Sequence, residues 1–444
     1  MSLTARTLLV STLTGIFLAS CSSASLGPTP GLGSDGIGNV AGVDPFADRA
    51  APAKTAKKGY AVLYAFAGAP DGADPVGGVI LDQNDNIFGT TYIGGTAVPP
   101  SGGAGTLFEL AYSKKGYKES VLHSFGSDGY YPAAAPAEDA EGNLYASLEA
   151  GPAGGSAGGV VQFGATNGYP EAQHFSFAAG QGSTPQTSPF VLVTGSAYHK
   201  PPLGYLTLYY LTANQGGAYG YGSLVALTPN FVFSDVHDFQ GGPSDGAGPL
   251  GNLAVDPEGP GLGLFGATSA GGAYGYGVVF KYDPDKTTFS VVYSFQGGTT
   301  DGSSPAGGVV LDDNGNIYGT TQGGGANGTG VVFKLTANQS GGYTESILHS
   351  FGAPKDGTSP HAAPVLALKG KLLYGTTSAG GKDGAGTIYQ VSTTGTKYKV
   401  LYSFAAATGS IPGYGSLAVT TTALYGTTES GGAHDDGVVY CYTL

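Results

Sequence analysis

Apolar and polar positions along the chain fall into short runs that close, again and again, on the same residue. "YAVLYAF" ends at Phe66, "ESVLHSF" at Phe125, "AQHFSF" at Phe177, "SDVHDF" at Phe239, "SVVYSF" at Phe295, "SILHSF" at Phe351 and "YKVLYSF" at Phe404, at intervals of 52 to 62 residues. Short runs rich in Val, Tyr and Phe, bounded by Gly, Asn and Asp, read as strands. The clearest copy, from Phe289 to Leu335, predicts four of them: Ser290 to Phe295, Gly308 to Leu311, Asn316 to Thr321 and Gly330 to Leu335. Between the second and third sits "DDNGN", whose Asn314-Gly315 is a tight-hairpin signal. "DQNDN" at Asp82 and "AEGN" at Ala140 hold the same place in other copies.

Four strands per unit and seven copies between Tyr60 and Leu444 predict an all-β fold, a seven-bladed β-propeller of four-stranded antiparallel blades. The unit "Y-S-F…D-G…P-x-G-G-V-V-L-D-x-x-G-N-I-Y-G-T-T…G-G-G…G-x-V-F-K-L" resembles the Gloeo/Verruco extracellular repeat, a bacterial family. That resemblance implies a propeller and brings no established chemistry. It is strongest in the fifth and sixth copies and weakest in the third, where "GSAYHKPPLGY" is inserted at 195–205. With strands ordered from inner (a, "GGVVLD") through b ("NIYGTT") and c ("GVVFKL") to outer (d, "SVVYSF"), the chain begins on a d strand and ends on a c strand. The last blade is therefore expected to borrow its outer strand from the N-terminus, which closes the ring and covers an edge open to aggregation.

Composition supports this pattern. With 80 Gly, 27 Pro and 29 Tyr among 444 residues, and 11% charged, the chain favours turns and strands over helices. The net charge of −13 leaves no basic surface for phosphates, which excludes a nucleic-acid partner. Arg6 followed by "TLLVSTLTGIFLAS" reads as an export signal over 1–20. Leu18-Ala19-Ser20-Cys21 resembles the lipobox of bacterial lipoproteins, which implies lipid on Cys21 and a membrane anchor. Ser22, where Asp is absent, resembles lipoproteins sent to the outer membrane. Residues 21–59 read as a flexible tether and 60–444 as the propeller. A lipidated Cys21 would leave Cys441 as a lone thiol and no intrachain disulfide.

The chemical motifs are weak. "GGGANG" at Gly323 precedes a strand rather than the helix a dinucleotide fingerprint requires, and "GGSAG" around Ser156 likewise lacks the helix of a nucleophile elbow. Asp82, Asn84 and Asn86, like Asp312, Asn314 and Asn316, have the oxygen spacing of a calcium loop but lack its glycine and terminal Glu, so they read as Asx turns. His123, His237 and His349 each stand two residues before a closing Phe, where other copies have Tyr, so they are expected to lie in different blades and to pack. No metal or cofactor is expected. His361, in a loop, falls outside that series.

Alternating strand direction gathers the d-to-a and b-to-c connections on one face. That face carries Asp71, Asp128, Asp245, Asp301 and Asp356, each followed by Gly, and the "GGAYGYG" loops beginning at Gly216 and Gly271. Their tyrosines either meet a ligand or pack on the neighbouring blade, and packing is the favoured reading. The repeat-breaking groups expected near that face are His199 with Lys200 and His434 with Asp435. These features predict a monomeric, lipid-anchored envelope propeller that binds a protein, peptide or glycan; the alternative is an envelope lyase or hydrolase with a site on the loop-rich face or central mouth.

Overall fold

A computed structural model describes residues 59–96, 103–139, 141–151, 158–166, 168–178, 191–193, 208–213, 216–228, 230–256, 263–284, 286–338, 342–367 and 370–444. Cys21, the tether, Ser156, and the insertion with His199 and Lys200 lie outside them. The described residues form strands joined by turns, with a single 3-10 turn at Ala406–Thr408. Among the described residues the strands pair in chain order, almost entirely antiparallel, into four four-stranded sheets, a five-stranded sheet, two short two-stranded ladders and an eight-stranded sheet whose halves meet in parallel at Asn252 and Gly308, the propeller-type arrangement. One sheet runs Val79–Leu81, Ile87–Thr91, Thr106–Ser113, Gly116–Ser124. The clearest repeat forms Gly302–Leu311, Ile317–Gly324 and Val331–Ala337, followed by Tyr343–Ser350. Its inner strand begins earlier than the apolar pattern indicates, because Gly302 and Ser303 pair with Gly324 and Gly323 and extend the ladder into the loop.

Chain ends meet in one sheet. Gly59–Ala65 pairs antiparallel with Val438–Thr443, Tyr60 opposite Tyr442 and Val62 opposite Tyr440, so the N-terminal strand covers the edge of the C-terminal one. Phe66, with no exposed surface, packs with Val79, Phe108, Val439 and Cys441. Cys441 is fully buried in that cluster.

Apolar clusters bridge successive sheets: Val310, Tyr318, Val332 and Phe351 of one pack with Leu373, Tyr389 and Val391 of the next. The Phe ring on the directly paired strand of the same sheet explains the glycine of "IYGTT". A Cβ on Gly319 would enter the Phe333 ring, with Cε1 at 2.7 Å.

Among the described residues, neighbouring sheets are also latched at the loops. Ser304 has φ 54° before Pro305, and its N–H donates to the carbonyl of Tyr276 on the preceding sheet at 2.9 Å. Asp74 (φ 53°) before Pro75 does the same to Asp436 at 3.1 Å, joining the last sheet to the first. Left-handed backbone before proline is sterically costly, and the inter-sheet hydrogen bond holds it. This latch answers why "GGAYGYG" is written twice: Gly277, its final glycine, has φ +95°, and a Cβ there would lie 2.7 Å from Cδ of Pro305 and against the Thr268 carbonyl.

Candidate functional site

The aspartates of the Asp-Gly loops are built into the turns. Asp128, Asp245, Asp301 and Asp356 are 5–7% exposed. Asp301 accepts from Tyr293 Oη at 3.0 Å, from the Gln296 N–H at 2.7 Å and from the Gly302 N–H at 2.6 Å. Histidine takes the tyrosine's place elsewhere: His123 lies 2.8 Å from Asp128, His237 3.2 Å from Asp245 and His349 2.8 Å from Asp356. Tyr64 donates to Asp71 at 2.9 Å. In the last loop Thr408 stands where the Asp would be and accepts from Tyr402 at 2.9 Å. At Asp356, burial works to raise the pKa, and the hydrogen bonds from His349 and Tyr398 outweigh it, so the carboxyl titrates below its ordinary range. These carboxylates orient loops, and the three histidines stay in separate sheets.

The residue six positions before the next closing Phe completes each of these seams. It stacks on the ring where aromatic: Phe289 on His237 at 3.9 Å, Tyr398 on His349 at 3.4 Å, Tyr60 on Tyr402 at 4.0 Å. In three seams it is glutamate instead: Glu119, Glu171 and Glu345. Burial, then the neighbouring Asp71 and Asp301, push Glu119 and Glu345 up to about 7. His123, Asp128 and Glu171 bring ligand-type atoms within 4.8 Å of one another. The His123–Asp128 pair is the same hydrogen-bonded device as at His237 and His349, and Asp128 also accepts from the Gly126 N–H at 2.9 Å, so these groups serve the loop.

The turn aspartates of the opposite face are spent likewise. Asp312 accepts from the Asn314 and Asn316 N–H groups at 3.0 and 2.9 Å and from Tyr318 Oη at 2.9 Å, the Asx turn that the spacing predicts.

Unspent chemistry gathers elsewhere. A cavity of about 410 Å³ is lined by Asp74, Val76, Tyr92, Ala133, Glu149, Leu250, Ala306, Gln322, His361, Tyr414 and Glu429. Two repeat positions supply nearly all of it. The residue after the loop proline gives Val76, Ala133, Leu250, Ala306 and His361; the residue after the b-strand core gives Tyr92, Glu149, Gln322 and Glu429. Equivalent positions of six different repeats converge on one volume, which places it at the mouth between them on the face bearing the Asp-Gly loops.

Its polar groups are oriented. Tyr92 stacks on Tyr131 at 4.9 Å and donates to Glu149 Oε2 at 2.8 Å. Gln322 Nε2 lies 2.8 Å from Nδ1 of His361, whose ring meets Tyr414 edge-on at 4.6 Å. Burial lowers the His361 pKa. Burial and then the Asp436 and Asp435 charges raise Asp74; burial and then Asp74 raise Glu429. His434 and Asp435 are exposed in the adjoining loop, where Asp435 (φ 67°) accepts from the Gly431 N–H at 3.0 Å. Asp435 therefore reaches the mouth through its charge.

The Gloeobacter/Verrucomicrobia repeat matches residues 206–345 and 339–444. The chain belongs to that repeat family. No curated protein matches it. Among solved structures it is similar to TolB from Acinetobacter baumannii (14% identity, 67% of this chain and 60% of that one, TM-score 0.37). It is also similar to an alpha-L-arabinanase from Penicillium chrysogenum in complex with arabinobiose (13% identity, 78% and 99% covered, TM-score 0.43). The chain thus spans 60% of that TolB chain. Likeness at this level decides nothing about activity.

Within this repeat protein, the mouth residues other than His361 were missed by reading motifs. Their signal is departure from register: Tyr92, Glu149, Gln322 and Glu429 occupy one repeat position with three kinds of side chain, while the preceding residue is Thr in all but one of them. The "GGAYGYG" tyrosines are also more open than the favoured packing reading held: Tyr219 and Tyr274 are 56% exposed, Tyr221 and Tyr276 49%. The latter two lie beside the backbone of Gly241 and Gly297, covering one ring face and leaving the rest to solvent.

Proposed function

We propose that this chain is a seven-bladed propeller, anchored to the bacterial envelope by lipid on Cys21, that binds a protein, peptide or glycan segment at its central mouth. The succession of antiparallel sheets along the chain and the pairing of Gly59–Ala65 with Val438–Thr443 support the closed ring. One observation carries the binding reading: at otherwise regular repeat positions, the mouth collects Tyr92, Glu149, Gln322, His361, Tyr414 and Glu429 around a cavity of about 410 Å³. Side chains that serve only the ring would repeat with it. The loop aspartates hold the rim of this face in shape. His434 and Asp435 lie in the loop that borders the mouth.

The test is capture on glycan and peptide arrays with the mature protein. Gln322→Ala with Tyr414→Ala should remove the captured ligand while leaving the melting temperature within a few degrees of the parent. Asn314→Ala in an opposite-face turn should leave capture intact. Capture that survives the mouth variants and fails with Asn314→Ala places the site on the other face. The enzyme alternative draws on the raised carboxyls Asp74 and Glu429. It requires turnover of the captured ligand that Glu429→Gln abolishes.

A further inference from the structure

The cavity at the mouth ends on a floor of backbone. Its lining residues Val76, Ala133, Leu250, Ala306, His361 and Tyr414 are each followed along the chain by glycine or alanine, and these small residues press on one another from repeat to repeat. A Cβ added to Gly77 would lie 2.5 Å from the Ala134 carbonyl carbon of the second repeat, and one on Gly78 2.6 Å from the Ser416 carbonyl oxygen of the seventh. Gly251 meets Gly307 in the same way, and Gly307 meets Ala362. Only residues with little or no side chain permit so close an approach. Asn252 of the fourth repeat then reaches to the seventh: its Nδ2 donates to Ser416 Oγ at 3.1 Å, and Ser416 Oγ donates to the Ala363 carbonyl of the sixth at 3.2 Å. Repeats that are not neighbours along the chain thus stand one hydrogen bond apart, two residues beyond the lining. Among the described residues this collar closes the inner end of the mouth, while residues of six repeats wall it around.

The walls suit a sugar. Gln322 Nε2 donates to Nδ1 of His361, which leaves the imidazole Nε2–H as a donor and the amide Oε1 as an acceptor. Tyr414 stands edge-on to that imidazole, and Tyr92 is fixed by its stack on Tyr131. Sugar hydroxyls both donate and accept, and the C–H face of a sugar ring lies on an aromatic one. The apolar lining, Val76, Ala133, Leu250 and Ala306, is mostly small side chains seated on the collar; it forms a wall rather than the deep pocket that anchors a large apolar side chain of a peptide. The net charge of −13 disfavours an acidic sugar. Taking the mouth as the binding site, we infer that it is a socket for the end of an uncharged glycan chain, whose terminal sugar rests on the floor between Gln322, His361 and Tyr414. A chain held by an inner stretch needs a way out on both sides, and a cavity walled by six repeats and floored by the collar favours an end.

The experiment is titration calorimetry of the full-length protein with maltohexaose, laminarihexaose and xylohexaose, each repeated with its parent polysaccharide at equal sugar content, and with α-cyclodextrin, which has the maltohexaose linkage but no chain end. At least one hexasaccharide should bind one to one, its polysaccharide should bind more weakly per sugar in proportion to chain length, and α-cyclodextrin should stay unbound. Gln322→Ala with Tyr414→Ala should weaken the hexasaccharide about tenfold or more while the melting temperature holds. Hexasaccharide binding that these variants leave intact moves the site away from the mouth and overturns the proposed function together with the socket. Binding that they weaken, but that is equal per sugar for hexasaccharide and polysaccharide or is shared by α-cyclodextrin, keeps the mouth and overturns the socket. No binding by any hexasaccharide overturns the glycan, and a peptide captured on an array and lost in the mouth variants then assigns the mouth to a peptide.

Discussion

Two glycines of one loop, Gly275 and Gly277, should differ sharply in what an alanine costs. Both have left-handed backbone, φ +81° and +95°. A Cβ at Gly275 meets nothing within 4 Å, so Gly275→Ala pays only for the conformation, about 1–2 kcal/mol. At Gly277 the same atom meets the Thr268 carbonyl and the ring of Pro305, both fixed in the sheet contact. Overpacking of that kind adds roughly 1–3 kcal/mol. The peptide groups of Gly277 are also engaged: its N–H donates to the Gly271 carbonyl and its carbonyl accepts from the Phe295 N–H, each at 3.0 Å. Relief by moving the backbone therefore strains two more bonds. The expected loss is about 2–5 kcal/mol for Gly277→Ala, more than for its neighbour. Thermal melts followed by circular dichroism compare the two, at roughly 1–2 °C per kcal/mol in a chain this long. Equal midpoints for the two variants would refute the claim that the glycine-tyrosine loop is written for the contact with the next sheet.

Deleting residues 59–66 should lower the midpoint steeply or cause aggregation, since Phe66 alone is fully buried and worth about 3–5 kcal/mol; deleting 1–58 is the control, and equal midpoints would sink ring closure through that strand. Glu119 and Glu345 bind protons more tightly folded, at about 7, than at their ordinary 4.5, so stability falls as pH rises through that window. Glu119→Gln with Glu345→Gln should accordingly raise the midpoint at pH 8 and change it little near pH 4, and a gain confined to acid pH would contradict the assignment. Intact mass spectrometry of membrane-extracted protein should find modified Cys21 as the first residue. Lipid on that sulfur and a disulfide through it exclude each other, so an unmodified Met1 or a disulfide-linked mature chain would reject the anchor.

Much of the architecture was legible in the linear pattern because strand pairing is local. A residue such as Asn314-Gly315 sets its own hairpin, the closing Phe marks each outer strand, and the order of strand types at the two termini led to the pairing of Gly59–Ala65 with Val438–Thr443. What the loop-rich face does with its side chains was not legible. Asp301 and its counterparts recur like ligands of a shared site, yet each turns back onto the Tyr or His of its own outer strand, because those residues meet only when the loop folds over the strand end. Glu149, Gln322, His361 and Glu429 lie up to 280 residues apart and look unremarkable singly; stacking and twist of the sheets bring their positions to one volume. Hydrogen bonding between neighbours along the chain is written in spacing, whereas convergence on a common mouth depends on how whole sheets sit against one another. That arrangement is a property of packing, which no short stretch of sequence contains.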